Sequence, residues 1–300
     1  MRSFKGIALL ILANILIFLT LAITGTILIQ FVLPKFGIDL RGSVATYQFA
    51  WAMVFGFGGA FVSLLMSKFM AKRMYNMQQV IDPSTPKERL VYNTVKELAE
   101  REGIKMPEVW VYWDDTPNAF ATGPTRNNAM VAVSSGLAMN MSDDELRAVL
   151  AHEVGHIANG DMMASTLLQG LMNTFVYFLA GMIARMIAGG RDGENSNPIV
   201  YFIVNMVLQI AFSILASIVV CWHSRRREFS ADAYAAKAVG AQAMISALAR
   251  LQALTHQEQT ADALNGEDAL ATMKISGGFG GLFSTHPAIE DRIAALRNLR

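Results

Sequence analysis

The chain has 300 residues, of which 53% are apolar and only 16% charged, with a formal net charge of +1. That balance departs from a soluble average toward membrane proteins, and the near-neutral charge leaves no electrostatic footprint for nucleic acid or an acidic partner. A single cysteine, Cys221, excludes an internal disulfide and is compatible with a reducing compartment.

Four charge-free stretches are long enough to cross a bilayer, which takes about 20 apolar residues. They lie between Lys5 and Lys35, between Arg41 and Lys68, from Met162 to Ala184, and from about Pro198 to Trp222. No small-residue cleavage pattern follows the first, so it reads as retained. Gly56, Gly58, Gly59 and Ser63 in the second suit close helix packing. Basic residues gather at Arg2 and Lys5, at Lys68, Lys72 and Arg73, and at Arg225, Arg226 and Arg227. By the positive-inside bias, both termini and the segment 68–161 lie in the cytoplasm. The triple arginine serves first as this topology signal; an arginine there could also brace a neighbouring helix.

Between the second and third spans lies a water-facing part. Thr85-Pro86-Lys87-Glu88 is a capping box with proline at the first helical position, and it opens a helix to about Arg101. Residues 108–113, 118–122 and 129–133 read as strands, the last two forming a hairpin across Gly123–Asn128. A second capping box, Ser142 with Glu145, starts a helix at Asp143 whose Leu146, Leu150, Val154 and Ile157 recur at helical spacing and face a core. After the fourth span, Glu228 to about His256 is alanine-rich and helical, Gly277–Gly281 reads as a loop, and Thr285-His286-Pro287 starts a last helix to about Leu299. The glycine run lacks the Lys-Ser/Thr ending of a phosphate loop, which argues against nucleotide binding. The expected organisation is 1–72, two spans; 73–161, a sheet and a metal-binding helix; 162–222, a membrane hairpin; and 223–300, a helical part with a further ligand.

The chemistry sits in His152-Glu153-Val154-Gly155-His156. Two imidazoles four residues apart share one helix face and can bind a single Zn²⁺, with Glu153 as general base. Catalytic zinc keeps three protein ligands and an open position. A metzincin would continue with glycine and histidine where this chain has Asn159 and Met162, so the third ligand comes from elsewhere. Glu228 is the candidate, with Asp232 one turn on to orient a ligand imidazole. The strand Asn118, Ala119, Phe120, Ala121, Thr122 is expected to be an exposed edge that pairs with an extended substrate. By sequence alone His286 reads as a capping or packing residue, His223 as interfacial, and His256 has no partner.

These motifs together resemble a known family. His152-Glu153-x-x-His156-x-x-Asn159-Gly160-Asp161, Glu228-Phe229-x-Ala231-Asp232 and His286-Pro287 look like the membrane zinc endopeptidases that include a bacterial heat-shock protease and the CAAX prenyl protease. Four spans, with a hairpin between the two ligand helices, and Asn118-Ala119-Phe120-Ala121-Thr122-Gly123 are most similar to the heat-shock branch. The resemblance implies an α+β membrane protein with four transmembrane helices and a cytoplasmic gluzincin-type domain. It also implies one zinc per chain and endopeptidase activity on damaged membrane proteins at the cytoplasmic face of a bacterial inner membrane. The lipid bilayer, substrate proteins and other quality-control proteases are the partners it implies, with a place in the stress response. By the same resemblance His286 contacts the reacting centre and Arg292 assists. Two other classes compete. A scaffold or transporter with a structural zinc would close its site with four, mostly cysteine, ligands. An intramembrane protease would place its metal helix inside a span, whereas Asp143, Asp144, Glu145 and Arg147 open this one in water.

Overall fold

The computed structural model describes residues 16, 18–40, 42–188, 197–264 and 284–299, of which 256–264 are described by their backbone alone. The glycine run 277–281, Arg2 and Lys5, and the side chain of His256 therefore lie outside the described residues. The chain divides into two compact units: Met1–Leu65 with Ala164–Val220, and Met66–Met163 with Cys221–Arg300.

Among the described residues, four helices are long and apolar enough to cross a membrane: α1 (Phe18–Lys35, with a π-helical stretch at Leu28–Val32), α2 (Val44–Met74), α6 (Asp161–Ala188) and α7 (Pro198–Val239). In the first unit they meet through small residues. A Cβ added at Gly56 would run into Thr174 and the Gly170 carbonyl, and one at Gly58 into Leu21. Close backbone approach of this kind is what holds helices together where lipid removes any hydrophobic drive.

The second unit is built on a four-stranded sheet in the order β1 (Met77–Gln79), β2 (Glu108–Tyr112), β4 (Asn128–Ser134), β3 (Ala119–Thr125). β3 and β4 form the expected antiparallel hairpin, while β2 runs parallel to β4. Every residue of β4 from Ala129 to Ser134 is buried, as befits a strand covered on both faces. On one face α3 (Pro86–Arg101), α5 (Asp143–Asn159), α8 (Ala241–Leu264) and α9 (Ile289–Arg297) pack over Val109, Val131 and Val133. Leu146, Leu150, Val154 and Ile157 of α5 are fully buried there, each contributing about 1.5–3 kcal/mol by leaving water. On the other face Tyr75, Tyr112, Trp110 and Phe120 cluster with Ala71. Lys68 and Lys72 clamp the Glu108 carboxylate at 2.6 and 2.8 Å and tie β2 to the end of α2.

The structure departs from the sequence reading in four places. β1 and the short α4 (Ser135–Asn140), capped by the Ser134 hydroxyl, were not foreseen. The helix expected from Glu228 to His256 is two helices, because Gly240 adopts φ 100° and breaks α7 from α8. The last helix begins at Ile289, after a bend at Thr285–His286.

Candidate active site

α5 carries the site because its ends are fixed. Ser142 and Glu145 cap the first turn reciprocally, and Gly160 ends the helix in the left-handed conformation at φ 72°. Gly155 lets α7 approach closely: a Cβ there would lie 2.9 Å from the Tyr234 ring. That approach brings Glu228 beside the two histidines, so that one ligand atom from each of His152, His156 and Glu228 lies within 4.8 Å of the others.

The imidazoles are aimed. His152 Nδ1 lies 2.9 Å from Asp232 Oδ1, and His156 Nδ1 lies 2.6 Å from Asp161 Oδ2. Each Nδ1–H thus donates to a carboxylate, which leaves both Nε2 atoms turned inward, 3.2 Å apart. They sit 3.6 and 3.3 Å from the Glu228 carboxylate. Two Nε2 atoms facing each other over a carboxylate need either shared protons or a cation between them. Two nitrogens and one carboxylate oxygen, each nitrogen backed by a hydrogen-bonded carboxylate, fit the donor set of a catalytic zinc.

Arg292 holds the other side. Its Nε and Nη2 donate to the two oxygens of Asp232 at 2.7 and 2.6 Å, and its Nη1 lies 3.3 Å from Glu228. His286, two-thirds exposed, approaches Glu228 through Nδ1 at 3.0 Å. Arg227 donates to the main-chain carbonyl of Asp161, just past the end of the ligand helix, so one of the three arginines does brace it. Arg225 donates to the Ser284 carbonyl at 2.8 Å, and Arg226 stacks over Trp222. His223 lies on α7 outside the cluster.

Asp161 is the residue that sequence reasoning left without a role. Its signal was present: a carboxylate five residues after His156, across a helix-ending glycine, is placed to reach back to that imidazole. Four carboxylates, Glu153, Asp161, Glu228 and Asp232, converge here with one guanidinium. The excess of negative charge sets the protonation of the site. Burial alone would lower the basicity of both histidines. Bonds to Asp232 and Glu228 outweigh it for His152, and bonds to Asp161 and Glu228 lift His156 to about 9. Loss of water raises the Glu153 carboxyl above the usual carboxylate range, and the neighbouring imidazoles and the Ala121 amide only partly offset this. A carboxylate held above its usual range is the stronger proton acceptor when ionised.

A pH effect follows. Ligation needs an unprotonated Nε2, and below about pH 9 the metal-free His156 retains its second proton. Zinc binding at pH 7 is therefore expected to release protons, with affinity weakening as pH falls. Calorimetry in buffers of different ionisation heat reads this directly, and binding without proton release would contradict it.

β3 borders the site, packed against α5 and paired in the sheet only with β4 among the described residues. Ser134 donates its amide to the Asn118 carbonyl at 2.9 Å. By the alternation of an antiparallel pair, Phe120 and Thr122 also bond toward β4, while the N–H and C=O groups of Ala119 and Ala121 point away. The Ala121 amide reaches Glu153, so this free edge runs alongside the base.

The family model described as Peptidase family M48 matches residues 86–300. Protease HtpX of Pasteurella multocida is 47% identical over 289 residues, covering 95% of this chain and 98% of that protein. Protease HtpX of Tolumonas auensis is 45% identical over 306 residues, covering 99% and 100%. The crystal structure of S. mikatae Ste24p shares the fold at TM-score 0.61 and 21% identity over 95% of this chain, which spans 65% of the length of that one. The matched region takes in both ligand-bearing helices, and the likeness to the HtpX proteases runs nearly end to end, so the chain belongs to peptidase family M48 and is a multi-pass membrane metalloprotease.

Proposed function

We propose that this metalloprotease is a zinc endopeptidase that cleaves damaged or misfolded membrane proteins at the cytoplasmic face of a bacterial inner membrane, as part of the response to stress. The observation that carries the chemistry is the convergence of two inward-facing Nε2 atoms and the Glu228 carboxylate beside a base of raised pKa. The placement rests on the basic residues that flank the spans, and the cellular role on the likeness to the HtpX proteases.

His152, His156 and Glu228 would hold the zinc. When bound, zinc supplies Lewis acidity, making water nucleophilic near neutral pH and polarising the carbonyl of the scissile bond. Glu153 takes the proton from the attacking water on its carboxylate and delivers it to the leaving amine. Asp161 and Asp232 keep the imidazoles turned inward, and Arg292 fixes Asp232. His286, exposed beside Glu228, supplies a donor to the oxygen that becomes negative during attack. The outward amide of Ala119 and the outward carbonyls of Ala119 and Ala121 bind the substrate main chain as an added strand.

The purified protein is expected to cleave an unstructured peptide, with activity lost to a chelator and restored by zinc. A cysteine introduced at the exposed Lys96 is expected to react with an impermeant reagent in inverted vesicles and not in intact cells; the opposite pattern would end the cytoplasmic assignment. Ala119→Pro tests the strand. Its amide makes no bond to β4, so the sheet and the zinc site remain, while the substrate loses a main-chain donor. Cleavage is expected to fall at least tenfold, chiefly through KM, at about one hydrogen bond's cost to a buried partner. Unchanged KM would show that substrate does not pair with this edge.

A further inference from the structure

The first unit contains a cavity of about 620 Å³ bounded by Phe18, Gln48, Tyr177, Tyr201, Asn205 and Gln209. Stacked rings of Phe18, Phe55 and Trp51 form its apolar wall. Its polar side is underused. Asn205 Oδ1 is buried with no hydrogen-bond partner, and the Gln48 amide makes one long bond, 3.4 Å, to the Phe178 carbonyl. Gly181 leaves room for that amide, since a Cβ there would overlap it. Amide groups inside a helix group of this kind are costly in lipid unless something satisfies them.

The lining defines the occupant. Among the described residues no Asp, Glu, Lys or Arg lines the cavity, so a charged group entering it would lose water without an opposite charge to replace it. The rim residues Phe18 and Tyr177 are 58% and 37% exposed, so the cavity opens on the flank of the helices. Asn205 and Gln209 lie 7 and 11 residues past the start of α7 at Pro198, roughly 10 and 16 Å along the helix. That is about a third to a half of the way through a hydrocarbon core some 30 Å thick. At that depth an acyl chain offers no hydrogen bond and headgroups are absent. A neutral polar side chain on a neighbouring transmembrane helix offers both donor and acceptor.

We propose that this cavity is a recognition site within the membrane for a substrate's transmembrane helix, reading an uncharged Asn, Gln, Ser or Thr side chain presented to lipid. The proposal rests on the reading that membrane proteins are substrates. A helix that has lost its packing partners exposes such side chains, whereas one in an assembled protein keeps them paired. The site therefore sorts orphaned helices from assembled ones before any bond is cut.

The test uses two substrates in proteoliposomes with the same cleavable water-facing segment. One has a transmembrane helix with a single central Asn, the other Leu at that position. The full-length protein is expected to cleave the Asn substrate about 3- to 30-fold faster, the range of one polar contact between helices in lipid. In Asn205→Leu/Gln209→Leu the preference should vanish while cleavage of a soluble peptide stays at the parent rate. Photocrosslinking from Tyr177→benzoylphenylalanine in a Glu153→Gln background reads binding without catalysis and should favour the Asn helix. Equal cleavage of the two helices, a preference that survives the double variant, or equal crosslinking overturns the site. Failure to cleave even the soluble peptide would instead overturn the protease chemistry, and the crosslink would still decide the cavity.

Discussion

Glu153→Gln is expected to lower peptide cleavage by about 10²–10⁴-fold, the usual cost of removing a general base, while the zinc content of the purified protein stays at the parent level. The glutamine keeps the length of the side chain and can still accept the Ala121 amide that now reaches the carboxylate. It cannot accept a proton from water. Among the described residues the convergent ligand atoms are those of His152, His156 and Glu228, and Glu153 is not one of them, so the variant keeps all three proposed ligands. Metal analysis and single-turnover cleavage on the same preparation separate the two quantities. A variant that loses its zinc would make Glu153 a ligand, and one that cleaves normally would remove the proposed mechanism.

Glu228→Gln is expected to do the opposite, lowering zinc content and activity together, with activity partly restored by added zinc. It trades the anionic member of the proposed ligand set for a neutral one. It also leaves the Arg292 guanidinium, 3.3 Å away, without part of its counter-charge. His152→Ala and His156→Ala should behave alike, each removing one of three ligands. Asp161→Asn and Asp232→Asn should fall between. Their amide oxygens still accept from Nδ1–H but no longer strengthen the imidazole, which typically costs about 10–100-fold in metal affinity or activity. Equal zinc affinity in Asp161→Asn and the parent would show that the 2.6 Å contact with His156 is incidental. Retention of zinc by Glu228→Gln would move the third ligand elsewhere.

The site was legible in sequence where a residue's role is local. The capping boxes at Thr85 and Ser142 fix where two helices begin, and both form as the spacing demands. The four-residue separation of His152 and His156 determines their shared face whatever else the chain does. Roles that depend on tertiary approach were harder. Asp232 could be given an imidazole to orient, but not which one, since that depends on how α7 crosses α5 over Gly155. Asp161 escaped because its partner is reached only after a left-handed turn at Gly160. The parallel pairing of β2 with β4 escaped because no short-range pattern marks a crossover. β1, three residues with none fully buried, carries too little alternation to be read as a strand.

A rim that grips substrate through the main chain of Ala119 and Ala121, as proposed, recognises a state of the polypeptide and not a string of side chains. In a helix every amide is already committed to the carbonyl four residues back. In a packed strand it is committed to a neighbour. Such a segment becomes cleavable only during the fraction of time it is locally unfolded, and that fraction follows from its opening free energy. At about 1.4 kcal/mol per factor of ten, a segment that costs about 4 kcal/mol to open would be cut about a thousandfold more slowly than one already loose. The strand edge thus converts a client's thermodynamic stability into its lifetime. One enzyme can then spare sound proteins and consume failing ones that share the same sequence.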